Sequence, residues 1–162
     1  MKKVLLFFML LNTNVFAMET VNCNSAQRDD LNAMANYVNN NWDEFEDYVD
    51  RNTGINLKSC IKNRFKKNGK VICEDSCAPN VNGWAAYLSK KVHFCPLFLN
   101  NVAKLDRKVS RRACYFALAV HEFGHNCLRG HGTVEDLDNA AFDWYEQTHP
   151  RVNITLASCG MD

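Results

Sequence analysis

The sequence predicts an α+β fold: a helical N-terminal part, a small antiparallel sheet, and a buried helix that carries the chemistry. Three observations lead there. Leu31, Met34, Tyr37, Val38, Trp42, Phe45 and Val49 recur every three or four residues with no Pro or Gly between them, the period of an amphipathic helix. Between Asn68 and Pro96 the pattern changes to short β-branched and aromatic runs. Further on, an apolar stretch leads into His121-Glu122-Phe123-Gly124-His125.

The chain opens with Met1-Lys2-Lys3, an apolar run from Val4 to Leu11, and Val15-Phe16-Ala17. That is the pattern of a secretory signal peptide, with an apolar run too short for the roughly 30 Å core of a bilayer. Residues 1–17 are therefore expected to be removed, leaving 18–162 as one domain. Lys2 and Lys3 leave with them, so the formal charge falls from +1 to about −1. Neither a nucleic-acid partner nor membrane insertion is expected from such a chain, which we read as a monomer. Eight cysteines, all beyond residue 17, indicate disulfides and an oxidising destination, secreted or periplasmic. Cys73-x-x-x-Cys77 lacks the second pair of ligands that a structural zinc site needs.

The first helix is expected from Ser25 to about Arg51, ended by Asn52-Thr53-Gly54. A second, basic helix should cover Leu57 to Lys67 with its lysines solvated. Lys70 to Cys73 reads as a strand, and Trp84–Leu88 with Val92–Cys95 as a hairpin. The motif helix should begin near Ser110 as its cap and stop at Gly130 and Gly132. Thr133 should then cap a last helix over Val134 to Gln147, closed by His149-Pro150.

On a helix, His121 and His125 lie one turn apart on one face, so both rings can aim a nitrogen at one ion. Neutral imidazoles suit Zn²⁺, and Glu122 is placed to take a proton from a water beside the metal. A buried helix with two histidines must also satisfy their polar atoms, which favours a metal over a surface pair. Three protein ligands and one open position make a catalytic zinc site. Candidates for the third follow at once in His131-Gly132-Thr133-Val134-Glu135-Asp136.

Here the chain resembles the aspzincin family of secreted metallopeptidases, which includes the deuterolysins and the lysine-specific metalloendopeptidases. The likeness rests on His121–His125 followed by Gly132-Thr133-Val134-Glu135-Asp136, on the upstream segment Val92-His93-Phe94-Cys95-Pro96-Leu97-Phe98, and on the placement of Cys23, Cys73, Cys77 and Cys95. It covers about Cys23 to Gln147. The resemblance implies a zincin-like fold, zinc held by His121, His125 and Asp136, and disulfides Cys23–Cys73 and Cys77–Cys95. The family's Tyr-Gly is missing after Asp136, and Tyr145 is the nearest tyrosine for its oxyanion-stabilising role. The family's C-terminal Asn-Ala-Asp segment is not recognisable either.

Asp136 is the expected third ligand, ahead of Glu135, and His131 and Asp143 are the weaker candidates. His131 stands ten residues after His121, the metzincin spacing, but the glycine which that pattern requires is Leu128 here, and Met161 lies too near the end for a Met-turn. Glu135 on a following helix would be a gluzincin arrangement. Among the rest, His93 and His149 read as surface groups, and Trp84, Trp144, Phe94 and Phe142 as core. Arg111, Arg112 and Arg129 read as exposed, and Cys127 as a disulfide partner of Cys114 or Cys159. The chemistry these residues imply is zinc-dependent hydrolysis of a protein or peptide substrate. A disulfide-stabilised binding or effector protein, and a zinc amidase acting on cell-wall peptides, are the competing readings.

Overall fold

A computed structural model describes residues 18–57, 59–127 and 129–161. The expected signal peptide and the Leu128 position lie outside them.

The fold is α+β, with helices packed against a small four-stranded sheet. Helix α1 (Ser25–Asn40) starts from a reciprocal cap in which Asn24 accepts from the Gln27 N–H at 3.0 Å and the Gln27 side chain accepts from the Asn24 N–H at 2.8 Å. The single helix expected to Arg51 is broken at Asn41. Its side-chain amide donates at 2.8 Å to the Tyr37 carbonyl, which also accepts the Asn41 N–H at 3.1 Å, and α2 (Trp42–Thr53) restarts beyond it. The expected apolar positions are buried in both pieces, as Leu31, Met34 and Val38 in α1 and Trp42, Phe45 and Val49 in α2. Gly54, at φ 68°, closes α2 in a left-handed conformation that suits glycine.

The basic segment is a short helix, α3 (Ser59–Asn63), that widens into a π-helical turn over Arg64–Asn68. Gly69 permits that turn, since a Cβ there would sit 2.1 Å from the Arg64 carbonyl oxygen and 2.7 Å from the Phe123 ring. Within the charge run, Lys62 pairs with Asp43 at 3.0 Å.

The sheet is mixed, a correction to the antiparallel one expected. Its strands are β1 (Glu19–Val21), β2 (Lys70–Cys73), β3 (Gly83–Ala85) and β4 (Lys91–Phe94), in the order β1-β2-β4-β3. β1 pairs parallel with β2, because the three helices between them form a crossover, and β2 pairs parallel with β4. Only the β3–β4 hairpin is antiparallel, as expected. Val71, Cys73, Val92 and Phe94 face the core, while Ile72, His93 and Trp84 lie in one row on the opposite face.

Helix α4 (Pro96–Ala103) follows with Pro96 in its first turn, where a missing N–H costs nothing. Helix α5 (Lys108–Asn126) runs through the centre of the molecule and is buried over most of its length. It starts two residues before Ser110, which is buried inside it and does not cap it. α5 ends at Asn126, and α6 (His131–Thr148) begins directly after Gly130, so Thr133 and Gly132 lie within its first turn and neither caps nor stops a helix. A Cβ on Gly124 would meet Val134 Cγ1 at 2.5 Å, so glycine allows the two helices to touch there. A 3₁₀ turn over Leu156–Cys159 is the last element among the described residues.

Four disulfides tie these elements together: Cys23–Cys73, Cys60–Cys127, Cys77–Cys95 and Cys114–Cys159. The first and third are those the family resemblance implied. Cys127 pairs with neither Cys114 nor Cys159, because α3 lies against the C-terminal end of α5 and brings Cys60 to it. Arg111 and Arg112 are not free in solvent: both bind the buried Asp30 carboxylate, at 2.7 and 3.1 Å. Trp84, expected in the core, is 45 % exposed.

Candidate metal centre

The last two turns of α5 carry His121, Glu122 and His125, and the first residue of α6 is His131. Helix α6 packs back against α5, so one ring nitrogen from each histidine lies within 4.8 Å of the others. Such a group can hold a metal ion. The ring centres of His125 and His131 are 4.7 Å apart, and those of His121 and His125 5.0 Å.

Two of the rings are held by their other nitrogen. His121 Nδ1 is 2.6 Å from Asp138 Oδ2, and His125 Nδ1 is 3.2 Å from the Arg129 carbonyl oxygen. Each contact leaves Nε2 for a ligand and fixes the orientation of the ring. Burial works against a charged His121, but the Asp138 carboxylate, together with Glu122 and Glu135, outweighs it and raises the His121 pKa. His125 is lowered, by burial first and then by the charge of His121.

Glu122 is 4 % exposed, and its Oε2 has no hydrogen-bond partner among the described residues. Burial pushes its carboxyl up to about 7. A buried carboxylate oxygen without a partner is costly and suits a group that receives a proton from something outside the chain. Strand β3 passes beside it: a Cβ on Gly83 would lie 2.8 Å from Glu122 Oε1. Gly83, His121, Glu122 and His131 line a cavity of about 880 Å³ whose walls also include Asn82, Leu118, Glu135, Leu156 and Met161.

Asp136 is not brought to the imidazoles. It is exposed and belongs neither to the histidine group nor to the cavity wall. At 100° per residue it points about 140° around the α6 axis from His131, whereas Glu135 and Asp138 stay on the side of His131. Glu135 lines the cavity without joining the group, and Asp143 is exposed elsewhere. Tyr145 does not reach the site either. It lies about 20 Å along α6 from His131 and is buried in an aromatic cluster, stacked on His149 with ring centres 4.2 Å apart.

The sequence reading missed Asp138, Met161 and Gly83. Asp138 left a signal, since it interrupts the apolar stripe Val134, Leu137, Ala141 of α6, and an acid on a buried face needs a partner. Met161, set aside for its place near the end of the chain, is drawn to the cavity with the terminal turn that Cys114–Cys159 anchors to α5. The chain matches no family model, no curated protein and no solved structure.

Proposed function

We propose that this chain is a secreted zinc-dependent metalloendopeptidase, with Zn²⁺ held by His121, His125 and His131. The observation that supports it is the convergence of three imidazoles, two of them oriented through Nδ1, beside a buried carboxylate with an unpartnered oxygen. This donor set suits a catalytic zinc site, three neutral nitrogens with one position left open. It has the spacing considered for metzincins, so the likeness to aspzincins does not extend in this reading to the third ligand.

Zinc bound there would polarise a peptide carbonyl and bring the pKa of a water at its open position to near neutral. Glu122 accepts the proton of the attacking water and delivers it to the departing amine, a role suited to a carboxyl poised near 7. Asp138 keeps His121 in the tautomer that leaves Nε2 free. An extended substrate would add to the free edge of β3, which has β4 on one side only and passes Glu122 at Gly83. No tyrosine lines the cavity among the described residues, so Tyr145 is given no part in the reaction.

Purified protein incubated with casein, and separately with cell-wall material, tests the proposal. We expect casein cleavage that stops on chelation, returns with Zn²⁺, and falls by at least about a hundredfold in Glu122→Gln while zinc stays bound. If Glu122→Gln cleaves as fast as the parent, the mechanism is wrong. Zinc binding with no turnover of either substrate would favour the binding-protein reading, and turnover of cell-wall peptides alone the amidase.

A further inference from the structure

The exposed large apolar side chains among the described residues are Trp84, Tyr87, Leu88 and Leu97, and the first three belong to one hairpin. Tyr87 is 66 % exposed and Leu88 71 %. Leu88 also has φ 60°, a left-handed conformation that is strained for any residue with a side chain. The rest of the molecule enforces it. The Leu88 N–H donates to the Asn126 carbonyl at 2.9 Å, and the buried Asn126 side chain donates to the Ala86 carbonyl at 2.8 Å. The hairpin tip is thus clamped to the end of α5 in a form that holds two large apolar groups out in water. A strained backbone that presents apolar surface marks an interaction site.

We propose that the β3–β4 hairpin docks on an anionic phospholipid surface. Its residue types are those of a membrane interface: Trp and Tyr at headgroup depth, Leu deeper, lysines at the rim. Lys90 and Lys91 are exposed next to Leu88, and the chain has no Asp or Glu from Ser76 to Leu105. The positive charge is therefore local, on a chain whose overall charge is close to zero, and it complements anionic headgroups. A protein groove would meet the apolar side chains equally well, but it has no particular call for the two exposed lysines beside Leu88. The contact is peripheral, since no helix of the described residues is long and apolar enough to cross a membrane. Gly83, at the base of the same hairpin, lines the cavity, so docking would hold the cavity close to the lipid.

The test uses the chain from Met18 onward with its disulfides intact, mixed with phosphatidylcholine vesicles with and without one part in four of phosphatidylglycerol. Trp42 and Trp144 are buried, so a change in tryptophan emission reports on Trp84. We expect co-sedimentation and a blue shift with the anionic vesicles, both reversed by salt. Tyr87→Ser with Leu88→Ser, and separately Lys90→Gln with Lys91→Gln, should each lower the partition coefficient by about tenfold or more without changing the melting temperature. Vesicle binding that neither pair of substitutions alters would overturn the proposal. So would a wild type that ignores anionic vesicles, which would point to a protein occupant. None of these readouts depends on zinc or turnover.

Discussion

Asp138 shows how much of the site depends on a residue that binds no ligand. Its carboxylate fixes the His121 ring, and partners of this kind typically account for a 10- to 100-fold difference in metal affinity. Asp138→Ala should therefore weaken zinc binding by about that factor in competition with a chromogenic chelator, with activity restored at high zinc. Glu122 carries the opposite effect. Its folded pKa of about 7 lies above the ordinary 4.5, so the folded state is penalised once the carboxyl ionises. The penalty is absent below about pH 4, grows as pH rises from 4.5 to 7, and levels off above that, at roughly 3 kcal/mol. Metal-free Glu122→Gln should accordingly resist urea better than the metal-free parent at pH 8 and equally at pH 4. The motif's three polar residues were legible in the sequence because their spacing is local. His131 was among the candidates there, and what hid the placement of Asp136 is that α6 already starts at His131 and not at Val134 as expected, which turns Asp136 to the face away from the imidazoles.

The elements meet through two glycines. Gly83 lets β3 pass Glu122, and a methyl there would also lie 2.9 Å from the His93 carbonyl oxygen. Gly83→Ala should leave zinc affinity unchanged and lower kcat by about tenfold or more, because it displaces Glu122 or the strand and touches no ligand. Gly124→Ala acts elsewhere: its Cβ would push Val134 off α5 and so separate His131 from its partners, which should lower stability by about 1–3 kcal/mol and zinc affinity with it. Helix content was readable from period, as the burial of Leu31, Met34, Phe45 and Val49 shows. The break at Asn41 was not, since an asparagine that caps by bonding back to Tyr37 differs little in sequence from one that points to solvent. The parallel pairing of β2 with β4 was also hidden, because β3 follows β2 in the chain yet takes the outer position beyond β4.

In the whole molecule, four disulfides join elements that local interactions would leave separate. Cys60–Cys127 closes a sequence separation of 67 residues and holds α3 to the end of α5 beside the histidine group. Replacing both cysteines by alanine should cost about 2–4 kcal/mol in urea unfolding, mainly by releasing the unfolded chain. Four bridges also fit an oxidising destination, which the even cysteine count indicated, while their pairing was legible only where a family resemblance supplied it. The proposed chemistry rests on α6 folding onto α5, so that His131 joins His121 and His125 in a zinc site with Glu122 beside it. Zinc stoichiometry in the purified wild type, His131→Ala and Asp136→Ala, with casein cleavage followed on the same samples, puts that to the test. We predict one zinc per chain in the wild type and in Asp136→Ala, both active, and loss of zinc and cleavage together in His131→Ala; zinc retained by His131→Ala and lost from Asp136→Ala would rule out the three-histidine site.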